Sequence, residues 1–200
     1  MTKTVVLASS NAGKLREIAQ ILVGLDIEVA PQSQFNVPEA EENGLSFVQN
    51  AILKARNAAH HSHLPAIADD SGIEVDFLNG APGIYSARFA GKDASDAQNL
   101  QKLLDDLEAV PEAKRSARFQ CAMVYLRHAH DSAPIIAQGT WEGRILFAPR
   151  SNHGFGYDPV FFVPTHCCAA AELPPEIKNQ LSHRGQALRA LVAALGHAHL

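Results

Sequence analysis

The chain opens on an unbroken apolar run, Val5-Val6-Leu7-Ala8, which predicts a short buried strand. After the polar loop Ser9 to Lys14, residues Leu15, Ile18, Ala19 and Leu22 recur at helical spacing. Phe47, Ala51, Ile52, Ala55 and Ala58 mark a second helix, with Ser46 as its cap and Lys54 on its shoulder. A second apolar run, Ala66-Ile67-Ala68, leads into Asp69-Asp70-Ser71-Gly72, whose residue types favour a turn. Ile73, Val75 and Phe77 then alternate with Glu74 and Asp76, predicting a half-exposed strand that ends at Asn79-Gly80. Leu100, Leu103, Leu104 and Leu107 form a third helical stripe behind a Ser95/Gln98 capping box. Two longer strands, Ala117 to Leu126 and Ile135 to Leu146, read as a hairpin around a polar loop at Asp131. Beyond the glycine-rich Gly154 to Tyr157, Val160 to Val163 reads as a strand. Leu188, Leu191, Val192 and Leu195 lie on a last helix capped by Ser182. This order of elements predicts a mixed α/β fold.

Composition narrows the function more than the fold. At 200 residues the chain fits one domain, 1–200, with room for two lobes but not for two independent domains. A net charge of −4 argues against nucleic acid or an anionic membrane as partner, so any phosphate ligand must be held by a few placed cations. The first apolar run is too short for a signal segment and no later run reaches transmembrane length, which predicts a cytoplasmic protein. Cys121, Cys167 and Cys168 cannot form a disulfide framework, and reduced thiols are the expectation.

Several segments could carry chemistry. Adjacent residues of a strand point to opposite faces, so Asp69 and Asp70 cannot share a cleft if their segment is extended: one could bind a metal or water while its neighbour turns inward. Ser9-Ser10-Asn11-Ala12-Gly13-Lys14 lies between strand and helix, where free amides, the helix dipole and Lys14 make an anion site. It lacks the P-loop pattern, and a plain helix start with an Asn cap and a solvated lysine is the competing reading. Glu39, Glu41 and Glu42 precede the second helix, either as a solvated, dipole-favoured end or as a source of one Mg²⁺ ligand beside Asp70, with Lys54 offsetting the charge. Phe155, Gly156, Tyr157 and Asp158 form a loop that can lay a ring against a base or simply pack as a turn. Lys178, His183 and Arg184 supply donors near the last helix. The histidines at 60, 61, 63 and 166 lack partners at zinc-ligand spacing.

In order along the chain stand Ser9-x-Asn11-x-x-Lys14, Glu41-Glu42-x-Gly44 with Asn50-Ala51 and Lys54-Ala55, and Asp69-Asp70-Ser71-Gly72. They are followed by Gly80-Ala81-Pro82-Gly83-Ile84-Tyr85-Ser86-Ala87-Arg88, Phe155-Gly156-Tyr157-Asp158-Pro159, and Lys178 with Ser182-His183-Arg184. This ordered set closely resembles the inosine triphosphate pyrophosphatase family, from Val5 to Leu195. The resemblance implies an elongated α/β fold with a mixed sheet, flanking helices and two lobes around an active-site cleft, and a homodimer. It further implies Mg²⁺-dependent hydrolysis of ITP, dITP and XTP to the monophosphate and pyrophosphate. By the same resemblance Ser9, Ser10, Asn11, Ala12, Gly13 and Lys14 form the triphosphate loop, Asp70 is the general base, and Glu42 with Asp70 holds the metal. Lys54 and Ser71 give supporting contacts, and Phe155, Gly156, Tyr157, Asp158, Lys178, His183 and Arg184 line the base pocket. Thr165-His166-Cys167-Cys168 departs from the family pattern. A pyrophosphatase of another nucleotide specificity and a non-catalytic nucleotide sensor are the alternatives, and retention of Asp70 with a carboxylate cluster weighs against the sensor.

Overall fold

The computed structural model describes residues 3–9, 11, 13–15, 17–18, 27–151 and 153–197. Ser10 and Ala12 of the proposed phosphate loop, and Ala19 and Leu22 of the first helical stripe, lie outside the described residues. Seven strands form one mixed sheet in the order β2-β1-β3-β4-β5-β6-β7. They are β1 (Lys3–Leu7), β2 (Ile27–Pro31), β3 (Ala66–Val75), β4 (Ser116–Leu126), β5 (Ile135–Ile145), β6 (Phe161–Val163) and β7 (Cys168–Ala169). β1 runs parallel to both β2 and β3, whereas β5, β6 and β7 pair antiparallel in succession. The longer helices are α1 (Phe47–Ser62), α2 (Asp96–Asp106), α3 (Pro175–Leu181) and α4 (His183–His197), and residues 13–15 and 17–18 are also helical. Among the described residues no helix is long and apolar enough to cross a membrane.

The chain divides into two compact units. The first comprises Met1–Asp70, Cys121–Gly139 and His183–Leu200, and the second Ser71–Gln120 and Thr140–Ser182. In the first unit the strands are apolar on both faces, because helices pack on each side of them. Val5, Leu7, Ile67, Cys121, Met123 and Tyr125 pack with Ile18 and with Ala187, Leu188, Leu191 and Leu195 of α4. Their immediate neighbours Val6, Ala8, Ala66, Ala68, Ala122, Val124 and Leu126 pack with Ala51, Ala55, Ala58 and Ala59 of α1. Consecutive residues therefore serve opposite faces, the period of two expected of strands. The second unit has its own core, in which Phe119, Trp141 and Phe161 meet with ring centroids 4.5–6.3 Å apart, beside Leu100, Leu103 and Leu107.

Two of the predicted caps form: the Ser46 hydroxyl accepts from the Gln49 amide at the start of α1, and Ser95 and Gln98 make the reciprocal capping box of α2. Asp69-Asp70-Ser71-Gly72, by contrast, does not turn. β3 runs straight through it, and Asp76–Leu78 is a 3-10 turn, so Phe77 leaves the strand and stands exposed. The local preference of Asp, Ser and Gly for turns yields here because the segment continues the strand that pairs with β1 at Ala66 and Ile67 and both carboxylates find cationic partners. Lys178 lies in the short helix α3, whose C-cap Ser182 directly precedes α4.

Candidate active site

Continuity of β3 gives the two aspartates opposite surroundings. Asp70 has the parity of Ala66 and Ala68 and faces α1; Asp69 has the parity of Ile67 and faces the α4 side. The alanines of α1 let that helix lie close to the sheet, and its residues 50 and 54, one turn apart, reach Asp70. Lys54 Nζ stands 2.8 Å from Asp70 Oδ1 and 3.3 Å from Glu42 Oε1. Asn50 Nδ2 donates to Asp70 Oδ2 at 3.3 Å. Glu41 is exposed, so it is Glu42 that the structure brings to Lys54. Burial pushes the Asp70 carboxyl up from its ordinary pKa against the pull of Lys54. Burial disfavours the Lys54 ammonium, yet Asp70, Asp69 and Glu42 outweigh it and raise its pKa.

On the other face Lys14 Nζ lies 2.9 Å from Asp69 Oδ2, and Arg184 Nε reaches the same oxygen at 3.5 Å while its Nη1 pairs with Glu17. Asp69 is wholly buried, which by itself would raise its pKa, but Lys14, Arg184 and Lys54 hold the carboxyl well below the usual range. Asn11 caps the first helix, its Oδ1 accepting the amides of Gly13 and Lys14 at 2.9 and 3.1 Å. Ser9 Oγ accepts from the Asn11 amide at 3.2 Å. The Asn cap of the plain helix-start reading is thus present, but the lysine is not solvated: Lys14 pairs with the buried Asp69 carboxylate. Cys121, on the Asp69 face, is buried with its thiol pushed up to about 12, a protonated and unreactive group.

In the second unit Phe155, Asp158 and Lys178 come together. Lys178 Nζ is 2.7 Å from Asp158 Oδ2 and 4.6 Å from the centre of the Phe155 ring, and Asp158 Oδ2 also accepts the Phe155 amide at 3.0 Å. Gly154 has φ +80°, and a Cβ there would stand 2.7 Å from Asp158 Oδ2, so the loop needs glycine at this point. Tyr157 is buried and donates its hydroxyl to the Ser86 carbonyl at 2.8 Å, while the Gly156 amide donates to Asp96 at 2.7 Å. Ser71 lies in β3, and His183 and Arg184 open α4 as buried residues.

The pair that could hold a metal is Glu42 with Asp70. Their oxygens converge on one ammonium, so the position already stabilises positive charge, and hard carboxylate oxygens suit Mg²⁺, which takes few protein ligands. Among the described residues no group of three or more His, Cys, Asp or Glu side chains forms a metal cage. Asn50 and Glu17 were absent from the site read in the sequence. The signal for Asn50 was available: it shares the Lys54 face of α1, four residues earlier.

A Ham1 family model matches residues 5–194. The chain belongs to the Ham1 family. This membership agrees with the resemblance carried by the ordered motifs. Among relatives, the dITP/XTP pyrophosphatase of Vibrio parahaemolyticus is 59% identical over 193 residues, covering 96% of each chain. That of Thioalkalivibrio sulfidiphilus is 61% identical over 191 residues, covering 96% of this chain and 97% of the relative. The solved structure of a Ham1 protein from Coxiella burnetii superposes with a TM-score of 0.90 at 50% identity, covering 98% of this chain and 99% of that one. The α/β fold is thus the Ham1 fold.

Proposed function

We propose that this Ham1 protein is a nucleoside triphosphate pyrophosphatase that hydrolyses the non-standard purine nucleotides ITP, dITP and XTP to monophosphate and pyrophosphate. The observation that carries this reading is the division of Asp69 and Asp70 across β3, each against its own lysine, in a chain so similar to dITP/XTP pyrophosphatases.

Asp70 orients the attacking water and takes its proton. Glu42 and Asp70 would hold Mg²⁺, which when bound neutralises phosphate charge and polarises the α-phosphorus. Lys14, with the loop of Ser9, Ser10, Asn11, Ala12 and Gly13 at the start of the first helix, receives the triphosphate and stabilises the departing pyrophosphate. Lys54 and Ser71 support the same phosphates. For the base, Phe155 offers a ring and Lys178, His183 and Arg184 offer donors, with Gly156, Tyr157 and Asp158 shaping the loop. Donors matched to a 6-oxo group are left unpaired by the 6-amino group of adenine, a mismatch that can reach about 10⁴–10⁵ in specificity. The whole chain, 1–200, serves as one pyrophosphatase domain. It works in the cytoplasm as a homodimer on free nucleotides, and its net charge of −4 fits the absence of nucleic-acid and membrane partners.

The test is pyrophosphate release from ITP, XTP, dITP, GTP, ATP and dTTP with Mg²⁺ present. The first three should exceed the others in kcat/KM by at least about 10²-fold. Equal turnover of ATP and ITP overturns the specificity, and no pyrophosphate from any substrate overturns the enzyme reading.

A further inference from the structure

We propose that Asn50 is a positioning residue for Asp70, an inference that rests on reading Asp70 as the general base. Asn50 is completely buried in the fourth position of α1, so water cannot satisfy its amide. The Gly44 N–H donates to Asn50 Oδ1 at 2.9 Å, and that donor decides which end of the amide is oxygen. Nδ2 is therefore the end that faces Asp70, donating to Oδ2 at 3.3 Å. Lys54, one turn along, donates to the other oxygen, Oδ1, at 2.8 Å. Each Asp70 oxygen is engaged by a different residue of one helix face, and the carboxylate is held against rotation about its own axis. With only Lys54 left, it would turn toward the ammonium.

The other end of the amide ties Asp70 to the segment that carries Glu42. A Cβ on Gly44 would stand 2.7 Å from Asn50 Oδ1 and 2.7 Å from Gln49 Cβ, so a side chain at position 44 displaces Asn50. Glu42, two residues before, meets Lys54. Asn50 and Lys54 thus join the loop and the catalytic strand through a single turn of helix, and an amide is required at position 50 because it must accept from one partner and donate to the other.

Asn50→Asp keeps the size and the acceptor for Gly44 but turns the donor into a second carboxylate oxygen facing Asp70. Its kcat for ITP at saturating Mg²⁺ should fall about 10–100-fold, the range for a misaligned catalytic group, with KM within about threefold of wild type. Calorimetric binding of inorganic triphosphate, which does not depend on turnover, should stay within about threefold. A residue that merely holds the Gly44 loop would tolerate Asn50→Asp, so a kcat within about twofold of wild type, or a loss confined to KM, overturns the proposal. If Asn50→Asp fails to fold, Gly44→Ala carries the same test from the far end of the amide: kcat should fall about 3–10-fold at constant KM, and an unchanged kcat overturns the tie. Asp70→Asn separates the two ideas: wild-type turnover in it overturns the base assignment itself, whereas its inactivation beside an unaffected Asn50→Asp overturns only the role of Asn50.

Discussion

Two aspartates adjacent in sequence reach opposite protonation environments because one peptide unit of a strand reverses the side chain. Asp69 meets Lys14 and Arg184 and is held ionised, whereas Asp70 lies in a buried position offset chiefly by Lys54. Asp69 in turn keeps Lys14, 17% exposed, at the end of the loop assigned to the phosphates. A cation placed there should matter to a triphosphate and little to a nucleoside monophosphate. In an Asp70→Asn background, where ITP is expected to survive the titration, adding Lys14→Ala should weaken ITP binding at least about tenfold, or about 1.4 kcal/mol, while IMP binding changes less than about threefold. Equal losses for ITP and IMP would move Lys14 away from the phosphates.

At the scale of elements, small residues set how closely helices approach the sheet. α1 packs through alanines, and α4 crosses β5 at Gly139, where a Cβ would lie 2.1 Å from the His183 carbonyl oxygen and 2.7 Å from the Ala187 nitrogen. Those atoms are backbone at the start of α4, so they cannot rotate aside, and an added methyl must push the helix and Arg184 with it. Gly139→Ala should cost about 2 kcal/mol, within the usual range for overpacking, and lower Tm by about 4–8 °C for a chain of this size. Differential scanning calorimetry measures it; an unchanged Tm would mean that the helix can shift without loss of packing.

For the molecule as a whole, the loop between β4 and β5 supplies a pH-dependent part of stability. Buried Asp131 accepts from the Arg127 amide, Nε and Nη2 and from the Ala133 amide, at 2.6–3.0 Å. The hydrogen bonds from Arg127 dominate and hold the carboxyl well below its ordinary pKa. A folded-state pKa below the unfolded value of about 3.9 contributes stability that is fully present above that value and is lost as pH falls toward the folded one. Asp131→Asn should therefore melt below wild type at pH 7, and the gap in Tm should narrow as pH drops below about 4. A gap of equal size at pH 7 and pH 3 would remove Asp131 from the acid response.

Much of the fold was legible in the chain because it is written in short-range pattern. The alanine-rich stripe of α1 with its Ser46 cap, the Ser95/Gln98 box of α2 and the paired runs of β4 and β5 all appear where spacing puts them. The ordered motifs also determined the family. What local pattern misjudged was decided by partners far away in sequence. β2, which ends in proline, went unread in the sequence and is defined by its parallel pairing with β1 from Lys3↔Ile27 to Leu7↔Pro31. Asp69-Asp70-Ser71-Gly72 has turn composition and becomes strand because its carboxylates are met by Lys14, Lys54 and Arg184. The alternation rule predicted that the two aspartates would part, but which would meet which lysine, and that Asn50 would join Gly44 to Asp70, depends on contacts between separate elements. Periodicity records how a residue relates to its own element; only packing brings that element's polar face to the side chains of another.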